Sequence, residues 1–358
     1  MPKSRTRRQP AARFNLTFSW ARFIICAALL AVLAGAYFFL PTILGWPATS
    51  DTHAAALTWH TVDVGQGDCT VVQFPDNKVL MVDTGKSSAY DKIINYLHDW
   101  QITTVDWLVI THPDDDHYGS AVKLLSNPDL TFKDKYCENC QYDIMQDKSK
   151  SDGARAAYQK MLDYGFTEPT DAMVIDGTNY KITFVSPHAA DAMPNANDSS
   201  IMLTIEYYNK IFVLTGDAGT TVEPLFINRA AEIFADNVNR QIILKVGHHG
   251  SRNSSGESFL SFIFGADNHN NFAIISCGQD NRYGHPHDET LTRLQNYCAT
   301  ENILVTKDVG NIVVRATAET LTVNGQDYDV SYTTIFISIG VVIVLICFVS
   351  FGARKRRK

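Results

Sequence analysis

Along the middle of this chain, apolar residues come in short runs separated by Gly, Asp and Asn. The runs are Leu57–Val64, Thr70–Phe74, Val79–Val82, Val105–Ile110, Ile182–Val185, Ile201–Tyr207, Ile211–Leu214, Ile242–Val246, Phe272–Ile275, Ile303–Val305, Ile312–Val314 and Leu321–Val323. Many are rich in Val and Ile and bounded by turn residues, which predicts strands. Longer stretches between some of them predict helices: Asp91–Trp100, Ser120–Leu125, Gly153–Tyr164, Gly256–Phe264 and Asp288–Tyr297. Helices interleaved with strands point to an α/β layered domain. No Pro/Gly/Ser-rich linker and no internal repeat divides residues 57–325, so they read as one domain. Residues 129–180 are the least patterned part, expected to be an insertion near the mouth or rim of a site.

The ends of the chain follow another pattern. Phe23–Trp46 supplies the roughly 20 apolar residues that a membrane-spanning helix needs, and Ile335–Phe351 forms a second apolar run. Basic residues lie outside both: Lys3, Arg5, Arg7, Arg8, Arg13 and Arg22 before the first, Arg354–Lys358 after the second. Because Lys and Arg near spans stay cytoplasmic, the expected organisation is a basic cytoplasmic tail (1–22), a transmembrane helix (23–46), an extracytoplasmic domain (47–332), a second transmembrane helix (333–352) and a basic tail (353–358). The expected location is the cell membrane, with the lipid bilayer as a partner. A cleaved signal peptide is the rival for the first segment, but the run exceeds a usual h-region.

Charge sharpens this division. The ends hold 11 of the 31 Lys and Arg and none of the 38 Asp and Glu. The middle therefore carries 20 basic and 38 acidic residues, a formal charge of −18 behind the whole-chain value of −7. Such a domain repels polyanions at long range, which counts against nucleic acid as a tightly held partner. Cys137-Glu-Asn-Cys140 has half the spacing of a zinc knuckle without a second pair to complete it. A local disulfide is expected there, with free thiols as the alternative.

Chemistry concentrates where strands end. Val105–Ile110 leads into Thr-His-Pro-Asp-Asp-Asp-His-Tyr-Gly-Ser (111–120), which packs His112, His117, Asp114, Asp115 and Asp116 into six positions. Imidazole and carboxylate are the divalent-cation ligands outside thiolate sites. Val79–Val82 ends in Asp83, Ile211–Leu214 in Thr-Gly-Asp217, Ile242–Val246 in Gly-His248-His249-Gly, and Phe272–Ile275 leads towards His285-Pro-His287. Six of the eleven histidines fall in three such loops. Together they predict a metal centre; singly, each reads as a solvated turn.

These segments resemble the metallo-β-lactamase superfamily, and within it the ComEC/Rec2 competence-type domain. The resemblance is carried by HTVDVGQGDCTVV (60–72), MVDTG (81–85), THPDDDHYGS (111–120), NDSSIML (197–203), VLTGDAG (213–219), KVGHHGSRNSS (245–255) and SCGQDNRYGHPH (276–287). It implies a four-layer αββα sandwich with two divalent metal ions at one edge. His112 and Asp114 would serve one ion, Asp116 and His117 the other, and Asp217 would bridge them. His248 and His285 match motif histidines that ligate metal or contact phosphate. Asp83 would brace the site, and Asn197, Ser200, Ser251, His249 and His287 are candidates to touch substrate or support ligands.

Two departures from the broad superfamily matter. Asp114 replaces the middle histidine of H-x-H-x-D-H, and Asn197-Asp-Ser-Ser200 stands where another ligand histidine is usual. Oxygen in place of imidazole moves preference from Zn²⁺ towards Mn²⁺ and argues against β-lactamase activity. The resulting expectation is a membrane-anchored hydrolase of phosphodiesters, with DNA the most specific substrate and Asp116, Asp217 and His249 as catalytic residues. His249 or His285 would protonate the leaving oxygen. With two spans the chain is no translocase, so a multi-span competence or envelope partner is expected. Two alternatives stand: hydrolysis of a small phosphodiester or a phosphorylated lipid or wall component, and a non-catalytic membrane-tethered scaffold.

Overall fold

The computed structural model describes residues 56–327, apart from 139, 236–239, 266–269, 280 and 325. These residues belong to one compact unit. The expected spans at 23–46 and 333–352, both basic tails and the domain limits at 47 and 332 lie outside them. Among the described residues no helix is long and apolar enough to cross a membrane.

Two mixed sheets organise the unit. The first contains β1 (Leu57–Thr61), β2 (Thr70–Gln73), β3 (Val79–Val82), β4 (Thr104–Val109), β5 (Thr131–Tyr136), β13 (Ile312–Ala316), β14 (Leu321–Val323) and β15 (Gln326–Asp327). Their order is β15-β14-β13-β1-β2-β3-β4-β5. The second contains β6 (Val174–Asp176), β7 (Tyr180–Ser186), β8 (Met202–Tyr207), β9 (Lys210–Leu214), β10 (Gln241–Lys245), β11 (Phe272–Ile275) and β12 (Ile303–Val305), ordered β12-β11-β10-β9-β8-β7-β6.

Side-chain alternation explains how the sheets pack. Leu80 and Val82 join one apolar cluster, which draws only on strands and on segments next to them, with Trp59, Phe212, Leu214, Phe272 and Ile274. Val79 and Met81 point the other way, into a cluster with Ile93, Leu97 and Tyr158 from the helices Tyr90–Asp99 and Asp152–Leu162. On the second sheet Ile211, Val213, Ala273 and Ile275 meet Phe226, Phe259 and Leu260 from the helices Glu223–Arg229 and Glu257–Phe264. Three apolar layers require four structural ones: helices, sheet, sheet, helices. Between the sheets, Trp59 stacks on Phe212 with ring centroids 5.4 Å apart. Full burial of such a side chain contributes about 1.5–3 kcal/mol.

The structure departs from the sequence expectations in three places. Residues 129–180 hold two strands that were not expected, β5 and β6, besides the expected helix, which runs Asp152–Leu162 and buries Tyr158 and Met161. The helix Glu223–Arg229 was not expected. The anticipated disulfide is absent, since Cys137 and Cys140 are both free thiols; Cys137 Sγ faces the Thr167 carbonyl at 3.9 Å.

Each sheet also has a parallel part, β3-β4-β5 in the first and β9-β10-β11-β12 in the second. Loops at the C-terminal ends of parallel strands are where α/β folds gather chemistry. The loops that carry Asp83, His112–His117, Asp217, His248–His249 and His285 follow such strands.

Candidate metal centre

Local backbone geometry aims the side chains. Asp83 follows β3 with φ 62°, and His248 and His249 follow β10 with φ 49° and 54°. Left-handed φ is unusual for residues other than glycine and persists where surrounding contacts fix it. Here the His248 amide donates to the Gly216 carbonyl at 3.0 Å, and the His248 carbonyl accepts from Ser251 N at 2.8 Å. Gly216, before Asp217, has φ 51°, and a Cβ there would stand 2.9 Å from the side chains of both Ser200 and Thr111. The short helix Asp115–Tyr118 carries Asp116 and His117.

Asp217 is the hub. Its Oδ1 lies 3.4 Å from His117 Nε2, and its Oδ2 lies 4.0 Å from His112 Nε2 and 3.6 Å from Nε2 of both His248 and His249. Asp116 Oδ2 is 3.6 Å from His249 Nε2. These gaps are long for hydrogen bonds and near the roughly 3.0–3.4 Å that separates ligand atoms around one cation.

Hydrogen bonding behind the cluster fixes the tautomers. His117 Nδ1 donates to Asp83 Oδ2 at 2.7 Å, and His249 Nδ1 donates to the Ser276 carbonyl at 2.9 Å. Thr111 Oγ1 donates its one proton to Asp83 Oδ2 at 2.8 Å, so it accepts from His112 Nδ1 at 3.1 Å. In the neutral form of all three rings the lone pair is thereby on Nε2, and His112 Nε2, His117 Nε2 and His249 Nε2 are buried without a partner, as is Asp217 Oδ1. Buried polar atoms are normally satisfied, and a ligand histidine characteristically donates its second nitrogen to a carboxylate or carbonyl. Two trios meet these terms closely, His112–His117–Asp217 and Asp116–His117–His249. The residues fit a divalent-cation centre.

Electrostatics agree. Burial opposes charge on His117, yet Asp217 and Asp83 hold its pKa well above the ordinary value. Burial opposes charge on His249 too, but Asp217 and Asp68 raise it to about 10. Burial would raise the Asp217 and Asp116 carboxyls; the facing imidazoles instead depress both. His112 is lowered by burial and by its neighbour His117, and His285 falls to about 4 through burial and the three histidines beside it. The two raised imidazoles, His117 and His249, face these carboxylates, and a cation would displace the protons the carboxylates favour on them.

The sequence profile of the metallo-beta-lactamase superfamily matches residues 62–263. The chain belongs to this superfamily. It is 30% identical over 271 residues to ComE operon protein 3 of Bacillus subtilis, covering 71% of this chain and 32% of that protein. It is 29% identical over 260 residues to Recombination protein 2 of Haemophilus influenzae, covering 70% and 28%. The chain thus matches about a third of the length of these curated relatives. Among solved structures it is similar to Tm1679, a metal-dependent hydrolase of the beta-lactamase superfamily, with TM-score 0.40 and 12% identity over 69% of this chain and 94% of that one.

As a superfamily member the chain distributes its motif residues unevenly. His112, Asp116, His117, Asp217, His248 and His249 converge. His285 adjoins them, its ring centroid 5.5 Å from that of His248 and its Nδ1 buried without a partner. Asp83 lies behind His117, and Ser200 Oγ accepts from the Asp217 amide at 2.9 Å. Asp114 stands at the edge: one oxygen pairs with Lys150, the other lies 3.9 Å from His112 Nε2. With Asp114 so engaged, the close donors are four imidazoles and two carboxylates, a set that suits Zn²⁺ as well as Mn²⁺. Asn197 contributes its carbonyl to Ser200 N. Ser251 Oγ accepts from Asn253 N at 3.3 Å, within its own turn. His287 Nδ1 accepts from Arg252 N at 3.1 Å, which leaves its neutral-state proton on Nε2.

Three participants carried no mark as site residues in the sequence: Thr111, Asp68 and Lys245. Asp68 Oδ2 pairs with Lys245 Nζ at 2.7 Å, and Asp68 Oδ1 lies 3.3 Å from His249 Nδ1. The available signal was a lysine ending the otherwise apolar run of β10 and an aspartate between two glycine turns and a buried strand.

Proposed function

We propose that this chain is a membrane-anchored, metal-dependent phosphodiesterase acting on nucleic acid, with its domain outside the cytoplasm. The carrying observation is the set of buried, unpartnered donor atoms on His112, His117, His249, His285 and Asp217. When bound there, divalent cations supply Lewis acidity and make hydroxide available near neutral pH. His112, His117 and Asp217 would hold one of them and Asp116, His249 and Asp217 the other, flanked by His248 and His285. Asp217, with its two oxygens, would serve both, and Asp83 and Thr111 keep two of the rings in the ligating tautomer. His249, whose Nε2 faces two carboxylates, serves as a ligand in this reading. His287, with a proton on Nε2, is the imidazole suited to donate a hydrogen bond to the leaving oxygen.

Two observations support a nucleic acid substrate. The matched relatives include Competence protein ComA of Neisseria gonorrhoeae, 25% identical over 284 residues, besides the two named above. Beside the cluster opens a cleft of about 660 Å³, lined by Lys86, Lys150, Arg282 and Tyr283 together with Asp114, Asp115 and Asp116. Cations and an exposed ring suit phosphate and base. The −18 charge of the middle of the chain favours a second reading, a small phosphodiester. A multi-span envelope partner would supply what the longer relatives contain and this chain does not match.

The test is hydrolysis of single-stranded DNA and of bis(p-nitrophenyl) phosphate by the purified chain, with Mn²⁺ and with Zn²⁺. Cleavage of DNA with either ion is expected. Turnover of the small diester alone selects the second reading, and turnover of neither rejects both.

A further inference from the structure

Lys245 closes β10, an interior strand between β9 and β11, and is 2% exposed. An ammonium in such a place is costly unless a charge meets it. The charge is Asp68, 3% exposed, whose Oδ2 stands 2.7 Å from Lys245 Nζ. Lys245 Nζ also donates to the Val246 carbonyl at 3.1 Å. Asp68 comes from the β1–β2 loop of the opposite sheet, so the ion pair joins the two halves of the domain.

The same loop touches the metal cluster twice. Through its backbone, Asp68 N donates to the Asp116 carbonyl at 3.0 Å. Gly67, with φ 144°, permits that approach, since a Cβ there would lie 2.5 Å from the Asp116 carbonyl oxygen. Through its side chain, Asp68 Oδ1 lies 3.3 Å from His249 Nδ1. Ser276 Oγ donates to the Gly67 carbonyl at 2.7 Å while the Ser276 carbonyl accepts from His249 Nδ1. One loop thus sets both sides of the 3.6 Å gap between Asp116 Oδ2 and His249 Nε2.

Asp68 is also a potential rival ligand. Its carboxylate, Asp217 and His249 form a buried trio whose donor atoms lie within 4.8 Å of one another. What separates Asp68 from the ligand set is the ammonium already beside it.

We propose that Lys245 acts as a resident cation that keeps Asp68 out of the ligand set and dedicates it to positioning His249. Lys245 and Asp68 are positioning residues, and the inference rests on the reading of the cluster as a metal centre. With the charge of Lys245 removed, Asp68 would turn towards the cation, His249 Nδ1 would keep the Ser276 carbonyl but lose the carboxylate charge that faces it, and the coordination would change. An arginine preserves the charge and the pairing.

The experiment uses the full chain as wild type, Lys245→Met, Lys245→Arg and Asp68→Asn. Mn²⁺ affinity is measured by calorimetry, coordination by the visible spectrum of the Co²⁺ form, and folding by circular dichroism. Loss of a group that braces a ligand costs roughly 10–100-fold in metal affinity. That loss is expected in Lys245→Met and Asp68→Asn, with an altered Co²⁺ spectrum in Lys245→Met and restoration of both in Lys245→Arg. Folded Lys245→Met with wild-type affinity and spectrum overturns the inference. Should Lys245→Met not fold, Asp68→Asn decides: wild-type affinity there overturns it equally. Wild type that binds neither ion defeats the metal-centre reading and this inference together; binding in wild type matched by the variants defeats this inference alone.

Discussion

His60 and the three histidines at 112, 117 and 249 are equally buried and chemically opposite. His60 sits on β1 beneath the Tyr90–Asp99 helix, 0% exposed. Both its nitrogens are engaged, Nδ1 with Tyr96 Oη at 2.9 Å and Nε2 with Gln73 Oε1 at 3.0 Å, and the Trp100 ring meets it edge-on at 4.3 Å. Burial pushes its pKa down to about 4, with the Gln73 hydrogen bond opposing. Each of the other three uses one nitrogen and leaves Nε2 buried and unpartnered among carboxylates. Burial therefore does not distinguish a ligand histidine from a core histidine. The orphaned nitrogen does, together with a fixed proton on the other one.

The most severe way to break this contrast is Asp217→Ala, which removes the acceptor shared by four imidazoles. Phosphodiester hydrolysis is expected to fall by about 10³-fold or more, at or beyond the 10²–10³ that one electrostatic group contributes at a reacting centre. Steady-state rates with Mn²⁺ at saturating substrate check this. A rate within tenfold of wild type removes Asp217 from its place as the hub.

His60 gives the complementary test, on stability. Its folded pKa lies below the unfolded value near 6.5, so on acidification the unfolded chain takes up the proton first. The stability contributed by neutral His60 is complete above about pH 6.5 and lost progressively as pH falls towards 4. The loss amounts to about 3 kcal/mol, from some 2.5 pH units at 1.36 kcal/mol each. Urea unfolding from pH 7 to pH 4.5 should show a shallower decline in His60→Gln than in wild type, with Mn²⁺ affinity unchanged. Parallel pH slopes for the two proteins would show that His60 is not held neutral.

Asp83→Asn sharpens the contrast from the ligand side. The amide presents one acceptor oxygen where the carboxylate serves His117 Nδ1, Thr111 N and Thr111 Oγ1. Metal affinity should fall roughly 10–100-fold, measured by calorimetric titration, while the His60 pH slope stays as in wild type.

How much of this was legible in sequence follows from what pattern can carry. Buried strands showed themselves because both faces are apolar, as in β3 and β9. β5 did not, since Thr131–Tyr136 is an edge strand with exposed Lys133 and Asp134, and charges of that kind protect edges from unwanted pairing. The three-residue β6 is too short for any period. At the site, residues clustered within one loop were readable, as in 112–117 and 248–249. The Asp68–Lys245 pair was not, because its members lie 177 positions apart on opposite sheets and meet only when the sheets pack. Asp114 shows the limit from the other side. Its spacing makes it a ligand by motif, but Lys150, from a segment without pattern, takes one of its oxygens.

The smallest expected effect separates tautomer control from metal binding itself. Thr111 Oγ1 is not itself a proposed ligand, yet it relays the Asp83 carboxylate to His112 Nδ1. Thr111→Val keeps the shape and removes both hydrogen bonds, each worth about 0.5–1.5 kcal/mol. His112 is then free to carry its proton on Nε2, which blocks ligation until the proton moves. Metal affinity should fall by about tenfold, the equivalent of one such bond, and Thr111→Ser should recover it because the hydroxyl returns. If valine binds Mn²⁺ as tightly as wild type, His112 does not need its proton fixed. The rule that sets it apart from His60 would then rest on its unpartnered nitrogen alone.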